Sequence, residues 1–101
     1  MTGKTDWLNL LGLIYRAGKL VTGEELVVKA VQKQKLSLVI ISEDASDNTK
    51  KKLSDKCSYY KIPFFIRGDR EAIGQAIGKA GRVVIGIEDP GFAKKIRSII
   101  E

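Results

Sequence analysis

The sequence predicts an α/β protein, a three-layer α/β/α sandwich with a four-stranded mixed sheet and about five helices. Segments with apolar residues at helical spacing alternate along the chain with short apolar runs. Two of these runs, residues 36–41 and 82–87, are almost unbroken and rich in valine and isoleucine, which is typical of strands buried on both faces. The alternation continues through all 101 residues without a linker or a repeat. We therefore expect residues 1–101 to form one domain around a single core.

The first predicted helix is capped by Thr5 and ends at Gly18 in the left-handed conformation. A short strand at residues 20–21 comes next. Thr22 and Glu25 then fit a capping box, in which each side chain satisfies a free backbone N–H at the start of the second helix. The residues predicted to face inward on that helix are Leu26, Val27, Ala30, Val31 and Gln34, and those predicted to face outward are Glu25, Lys29 and Lys33.

Residues 50–62 are predicted to form the third helix, because apolar residues recur there at spacings of three and four. Three acids precede it and have two interpretations: they cap this helix, or they hold Mg²⁺ at the end of the preceding strand. These acids are Glu43, Asp44 and Asp47. In the next apolar run, residues 62–66, Pro63 predicts either an edge strand or the start of a strand.

Caps and glycines define the last two helices. Asp69 is predicted to cap the fourth helix, which Gly74 and Gly78 weaken by about 1 kcal/mol each relative to alanine. Asp89 is predicted to cap the fifth, with Pro90 at its first position. The sequence does not predict the order of the strands within the sheet.

The charge balance favours a polyanionic partner. Lysine and arginine number 18 against 12 acids, which gives a net charge of +6 and a pI near 9.6. Nucleic acid is the expected partner, ahead of an anionic membrane, and the alternative is a basic surface that serves only solubility. No apolar run approaches the roughly 18 residues of a membrane span, and the first residues lack the order of a secretion signal. We expect a soluble cytoplasmic protein that does not bind membranes.

Catalytic and metal-binding residues are not expected. The sequence has no histidine, the commonest general base, and its single cysteine, Cys57, excludes an internal disulfide or a zinc site of the usual spacing. No phosphate-binding glycine motif follows a predicted strand. We therefore predict a protein that is not an enzyme, has no cofactor and uses Cys57 as a core residue.

Several basic residues lie near predicted helix ends and glycine turns, where phosphates can approach free backbone N–H groups. They are Lys19, Lys29, Lys33, Arg70, Lys79 and Arg82. For Lys29 the alternative is an i, i+4 ion pair with Glu25. The lysines at positions 50–52 form either a solvated face or contacts to phosphates, since three consecutive helical residues cannot share one flat contact.

Four segments resemble one known family in their order and spacing: GEELVVKAVQK, LVIISEDAS, KIPFF and IGQAIGKAGRVVIGI. The family is the kink-turn RNA-binding ribosomal proteins of the L-seven-Ae type, and the chain is most similar to its small bacterial YlxQ-like members. The resemblance covers nearly the whole chain. It implies the same α/β/α sandwich and binding to RNA that bends sharply beside tandem sheared G·A pairs.

The resemblance also implies a binding site at the start of the second helix, where the family has a glycine, an Asn-Glu pair and a lysine. Gly23 matches the glycine and Lys29 matches the lysine. The Asn-Glu pair aligns with Glu25 and Leu26, and Leu26 cannot hydrogen-bond a guanine edge. The RNA-binding residues implied are Gly23, Glu24, Glu25, Lys29, Lys33, Arg70, Lys79 and Arg82.

Two hypotheses follow. The first is a non-enzymatic RNA-binding protein that recognises structured, kink-turn-like RNA as a monomer and associates with the ribosome and its proteins. The second is a protein-interaction module on the same fold that has lost specific base recognition. An apolar residue at an exposed helix start, Leu26, favours the second.

Overall fold

The computed structural model describes the backbone of residues 3–101 and the side chains from Trp7 onward. Five helices and four strands alternate along this part of the chain, as predicted. In order they are α1 Gly3–Arg16, β1 Leu20–Thr22, α2 Glu24–Gln32, β2 Leu38–Ile41, α3 Asp47–Tyr60, β3 Phe64–Ile66, α4 Arg70–Ile77, β4 Val84–Ile87 and α5 Pro90–Ile100.

The four strands form one mixed sheet in the order β1-β4-β2-β3. Strand β4 is antiparallel to both β1 and β2, whereas β2 and β3 are parallel. Strand β3 lies at the edge and begins directly after Pro63, so the prediction for this proline is confirmed. The Pro63 carbonyl still accepts a hydrogen bond from the Val39 N–H at 3.0 Å, because proline lacks only the N–H donor.

Helices cover both faces of the sheet, which confirms the three-layer sandwich. Alternate residues of β2 contribute to two separate clusters: Leu38 and Ile40 pack with α1, α4 and α5, whereas Val39 and Ile41 pack with α2 and α3. All four β2 side chains are fully buried. The unbroken apolar sequence of this strand is therefore explained by a helix layer on each side.

The start of α2 differs from the prediction. Thr22 is the last residue of β1, where it pairs with Ile85, and Gly23 is the N-cap residue without any side-chain cap hydrogen bond. The Gly23 N–H donates to the Val84 carbonyl at 3.1 Å. The capping box of Thr22 and Glu25 is therefore wrong, because sheet pairing continues through Thr22 and the helix begins only afterwards.

Two residues assigned to the inward side of α2 do not lie there. Leu26 is 59% exposed, and Gln34 is an exposed residue beyond the helix end with a φ of 57°. Val27, Ala30 and Val31 form the buried side, as predicted. Leu26 is exposed because it belongs to the first turn, on the side of the helix away from the sheet.

Two other helix boundaries also differ from the predictions. Helix α1 begins at Gly3, so Thr5 lies inside it rather than at its N-cap; the Thr5 side chain lies outside the described residues. Helix α3 begins at Asp47, and its cap is Ser46, whose hydroxyl accepts a hydrogen bond from the Thr49 N–H at 3.1 Å. The interpretation that Glu43, Asp44 or Asp47 caps this helix is wrong, and Asp47 is instead its first residue.

The remaining caps are confirmed. The Asp69 carboxylate accepts a hydrogen bond from the Ala72 N–H, and that of Asp89 accepts hydrogen bonds from the Gly91 and Phe92 N–H groups. Gly18 has the expected positive φ of 74°. Among the described helices, none combines the length and the apolar character needed to cross a bilayer.

Candidate nucleic-acid interface

The sheet topology gathers four connections at one end of the molecule. Strands β1, β2 and β3 end there, and β4 begins there because it runs antiparallel to β1 and β2. We call this end the basic edge, after its basic residues Arg67, Arg70, Lys79 and Arg82; it comprises residues 22–25, 42–46, 67–70 and 79–83, which also contain five acids. Six of the eight RNA-binding residues predicted from the sequence belong to it or flank it directly: Gly23, Glu24, Glu25, Arg70, Lys79 and Arg82.

The start of α2 is open and uncapped. Gly23 has a φ of 97° and a ψ of 141°, a conformation that side chains disfavour, and a Cβ at this position would have no atom within 4 Å. In contrast, a side chain caps each of α3, α4 and α5. The N–H groups of the first turn of α2 thus lack a side-chain partner and are available, with the helix dipole, to an anion.

Glu24 is bound to α3 rather than free at the edge. Its carboxylate accepts hydrogen bonds from the Thr49 hydroxyl at 2.9 Å and from the Lys52 ammonium at 2.8 Å. The Lys52 hydrogen bond first, and that of Thr49 second, lower the pKa of Glu24 below its ordinary value. The negative charge next to the open helix start is therefore compensated by Lys52, which reduces its repulsion of an approaching phosphate.

The outward side of α2 carries Glu25, Lys29 and Lys33, all exposed as predicted. Among the described side chains, Glu25 and Lys29 form no ion pair within 4.0 Å, so the pairing alternative is not observed. Lys33 is the C-cap residue of α2. It therefore lies about 13 Å along the helix axis from Glu24, away from the basic edge, although it shares a helix face with Lys29.

Arg70 is held in place by Asp44. The Arg70 backbone N–H and Nε donate to the Asp44 carboxylate at 3.1 and 3.3 Å, and Nη2 donates to the Asp44 carbonyl at 2.9 Å. The Ser42 hydroxyl first, and then Arg70, keep the pKa of the Asp44 carboxyl below its usual value. Asp44 thus positions a predicted RNA-binding arginine, a role that is not visible in the sequence because the two residues are 26 positions apart.

The loop at residues 79–82 packs against Arg70 and α4. The Arg82 N–H donates to the Arg70 carbonyl at 3.3 Å, and the Arg82 guanidinium donates to the Ala80 carbonyl at 3.2 Å. The Lys79 ammonium lies 5.7 Å from the centre of the Tyr15 ring, within range of a cation–π interaction. These contacts fix Arg82 beside Arg70, whereas the Lys79 ammonium lies near the end of α1, the helix that precedes β1.

Gly74 allows this loop to approach α4 closely. A Cβ at position 74 would lie 2.5 Å from the Lys79 carbonyl oxygen and 2.9 Å from the Gly81 nitrogen. Helix propensity alone indicates only that Gly74 weakens α4. Its place in the chain is explained by the backbone that packs against it.

One short stretch of chain links the start of α2 to Arg70. Residue 82 hydrogen-bonds Arg70 through its N–H, and residue 84 accepts the hydrogen bond from the Gly23 N–H. Two residues of extended chain span at most about 7 Å. The uncapped helix start, Arg70 and Arg82 are therefore close neighbours on one surface, whereas Lys33 is separate.

Within the described part of the chain, no group of three or more His, Cys, Asp or Glu side chains could hold a metal ion. Two of the three acids considered as Mg²⁺ ligands have other roles: Asp44 holds Arg70, and Asp47 lies in the first turn of α3. The surface offers backbone N–H groups and cationic side chains, the groups that bind phosphates, beside the exposed carboxylates of Glu25, Glu43 and Asp69.

Residues 5–97 match the Ribosomal protein L7Ae/L30e/S12e/Gadd45 family. The chain belongs to this family. It is 47% identical to the RNA-binding protein YlxQ of Bacillus subtilis, over 95% of this chain and 96% of that protein. It is 51% identical to the RNA-binding protein YlxQ of Enterococcus faecium, over 93% and 90% of the two chains. The resemblance to YlxQ-like members of this family is confirmed.

A solved structure of a Bacillus halodurans protein is also similar. Its TM-score is 0.93 with 55% sequence identity, and the match covers 95% of this chain and 97% of that one. The arrangement of the sheet and the helices is thus that of an experimentally determined relative.

Proposed function

We propose that this chain is a non-enzymatic RNA-binding domain that recognises structured, kink-turn-like RNA at its basic edge. The observation that carries the proposal is the uncapped start of α2 at Gly23, placed beside Arg70 and Arg82. Free N–H groups and two guanidinium groups on one surface suit the phosphates of a sharply bent RNA backbone. The YlxQ relatives, which are named RNA-binding proteins, support the same proposal.

The proposed contacts divide into two kinds. Lys29, Arg70, Lys79 and Arg82 supply phosphate contacts, which set affinity and depend on salt. Base recognition is assigned to the first turn of α2, where Glu25 is exposed and its carboxylate can accept hydrogen bonds from a guanine edge. Leu26, beside it, can contribute only apolar contact.

Salt-dependent binding of a kink-turn RNA tests the proposal. In fluorescence anisotropy at about 0.1 M salt, we expect Lys29→Ala to weaken binding and to reduce the slope of log affinity against log salt by about 1. Lys33→Ala should have a smaller effect, because Lys33 lies at the other end of α2. Lys94→Ala, which removes the same charge from an exposed position on α5, is the matched control.

Equal losses for Lys29→Ala and Lys94→Ala would show that net charge alone drives binding and would refute the assigned site. Specificity needs a second RNA, in which Watson–Crick pairs replace the tandem G·A pairs. We expect binding to fall with this change, since the bend that fits the basic edge is lost. Unchanged affinity would reject kink-turn recognition while leaving RNA binding in place.

The same proposal includes association with the ribosome as a monomer in the cytoplasm, and the ribosomal proteins in the family description support it. Co-sedimentation of the protein with ribosomes in a sucrose gradient measures this directly. Its loss with Lys29→Ala, but not with Lys94→Ala, is the expected result. Size-exclusion chromatography with light scattering measures the oligomeric state.

A second candidate function, a protein-interaction module, is favoured by Leu26. This side chain is 59% exposed in the first turn of α2, next to the surface proposed for RNA. An exposed leucine there suits contact with an apolar protein surface. Recovery of a protein partner after nuclease treatment, and its loss with Leu26→Ala, would favour this function over RNA binding.

A further inference from the structure

The outward face of α3 carries a basic and aromatic surface that the proposed RNA site does not use. Lys52, Lys56 and Tyr59 follow one another at spacings of four and three residues and so lie along one side of the helix. We call these three residues the α3 stripe. Together with Asp55 and Tyr60, they line an open groove of about 490 Å³.

Tyr59 is the most exposed large hydrophobic residue in the described part of the chain, at 78%. Its ring centre lies 4.8 Å from that of Tyr60, and the ring planes meet at 80°. Tyr60 itself packs against the cluster formed by α2, α3 and the sheet. The anchored Tyr60 ring therefore supports the Tyr59 ring, which remains accessible to a flat ligand.

The charges of α3 favour a polyanion in this groove. Residues 47–61 include five lysines and two aspartates. Lys51 is paired with Asp55 at 3.4 Å and Lys52 with Glu24 at 2.8 Å, whereas Lys56 has no ion-pair partner among the described residues. Three of the five lining side chains are lysines or an aspartate, residue types that are depleted in protein interfaces.

A lysine-lined groove with an accessible aromatic ring is the arrangement by which proteins hold single-stranded nucleic acid, because bases stack on the ring while the backbone follows the charges. The stripe also begins at the basic edge, since Lys52 is bound to Glu24 in the first turn of α2. From Lys52 to Tyr59 the helix rises about 10 Å, the length of about three stacked nucleotides.

We propose that the α3 stripe binds a single-stranded segment of RNA that continues from the structured RNA at the basic edge. One base stacks on Tyr59, and the backbone phosphates lie against Lys56, the lysine of the stripe that has no ion-pair partner among the described residues. The inference rests on the proposed function for its anchor, the RNA held at the start of α2. It adds a second contact surface and a preference for RNA with an unpaired flank.

Paired RNAs test this surface. One is a blunt kink-turn duplex, and the other is the same duplex with a uridine extension of about six nucleotides, placed on each strand in turn. We expect the protein to bind the RNA with one of these extensions more tightly than the blunt RNA. Tyr59→Ala should weaken binding to the extended RNA about tenfold and leave the affinity for the blunt RNA unchanged. Tyr59→Phe keeps the ring and should bind both RNAs as the parent does.

Lys56→Ala should reduce the gain from the extension and its salt dependence, and Lys94→Ala on α5 should leave that gain intact. Because Tyr59 is exposed, the variants should unfold at the temperature of the parent, which thermal denaturation checks. Equal affinity of the parent for the blunt RNA and both extended RNAs would overturn the inference, as would an equal loss on all of them with Tyr59→Ala.

A protein contact at this face has its own signature. If Tyr59→Ala leaves the gain from the extension unchanged but releases a protein captured after nuclease treatment, the stripe binds protein and the inference is wrong. Failure of the proposed function is seen separately, as binding of the blunt kink-turn no better than that of a straight duplex. Tyr59-dependent binding of a free uridine oligonucleotide would then still support the stripe.

Discussion

Replacing Gly74 with alanine sets two effects of known sign against each other. Alanine is the better helix former by about 1 kcal/mol, so propensity alone predicts stabilisation of α4. The new Cβ, however, would lie 2.5 Å from the Lys79 carbonyl oxygen and 2.9 Å from the Gly81 nitrogen. Both neighbours are backbone atoms, which no side-chain rotation can move aside.

Overpacking of this kind costs about 1–3 kcal/mol, and contact with backbone places Gly74→Ala in the upper part of that range. After subtraction of the propensity gain, we expect a net loss of about 1–2 kcal/mol. In a domain of this size that corresponds to a fall in Tm of about 5–15 °C. The loop at residues 79–82 should also shift, so affinity for RNA measured well below Tm should decrease.

Thermal and urea denaturation measure the stability loss, and the exposed neighbour Gln75 provides the control. Gln75→Ala in the same helix should change Tm by less than about 3 °C, because it removes no packing. An unchanged or higher Tm for Gly74→Ala would refute the reasoning. It would mean that the loop yields at no cost and that helix propensity decides.

Three other changes test separate features. The pKa of Glu24 lies below its ordinary 4.5, so the ion pair with Lys52 stabilises the protein above about pH 4.5 and is lost as the pH falls through the lowered value. At neutral pH, Glu24→Gln should lower the free energy of unfolding by less than about 1 kcal/mol and so lower Tm. This difference in Tm should disappear in acid, and a constant difference would contradict the reasoning. Burial raises the pKa of the Cys57 thiol to about 11, so iodoacetamide should label it only in denaturant, and rapid labelling of the folded protein would disprove its burial. Lys61 is the C-cap residue of α3 and has a φ of 61°, so Lys61→Gly should raise the free energy of unfolding by about 1 kcal/mol. Lys35→Gly should instead lower Tm.

The candidate site could be predicted in part because several of its features are local. A glycine followed by a lysine at the correct spacing, and basic residues beside glycine turns, are visible in the sequence as Gly23, Lys29, Arg70 and Lys79. What holds these residues in place is not local. Asp44 and Arg70 meet only because β2 and β3 are adjacent and parallel, and nothing in either segment alone indicates the contact.

The error at the start of α2 has the same origin. Thr22 and Glu25 have the spacing of a capping box, but pairing between β1 and β4 keeps the chain extended through Thr22 and places Gly23 at the N-cap. Strand pairing between segments more than 60 residues apart cannot be deduced from the local pattern that suggests a cap. The resulting open helix start is the main feature of the proposed site.

By itself, the sequence determined the number, type and order of the helices and strands, since these follow from the period of apolar residues and from caps such as Asp69 and Asp89. It also determined the basic charge of the protein. Only the tertiary structure decided which of those charges lie together. The strand order β1-β4-β2-β3 brings the ends of three strands and the start of the fourth to one edge, where Gly23, Arg70 and Arg82 meet, and that order depends on contacts between distant segments.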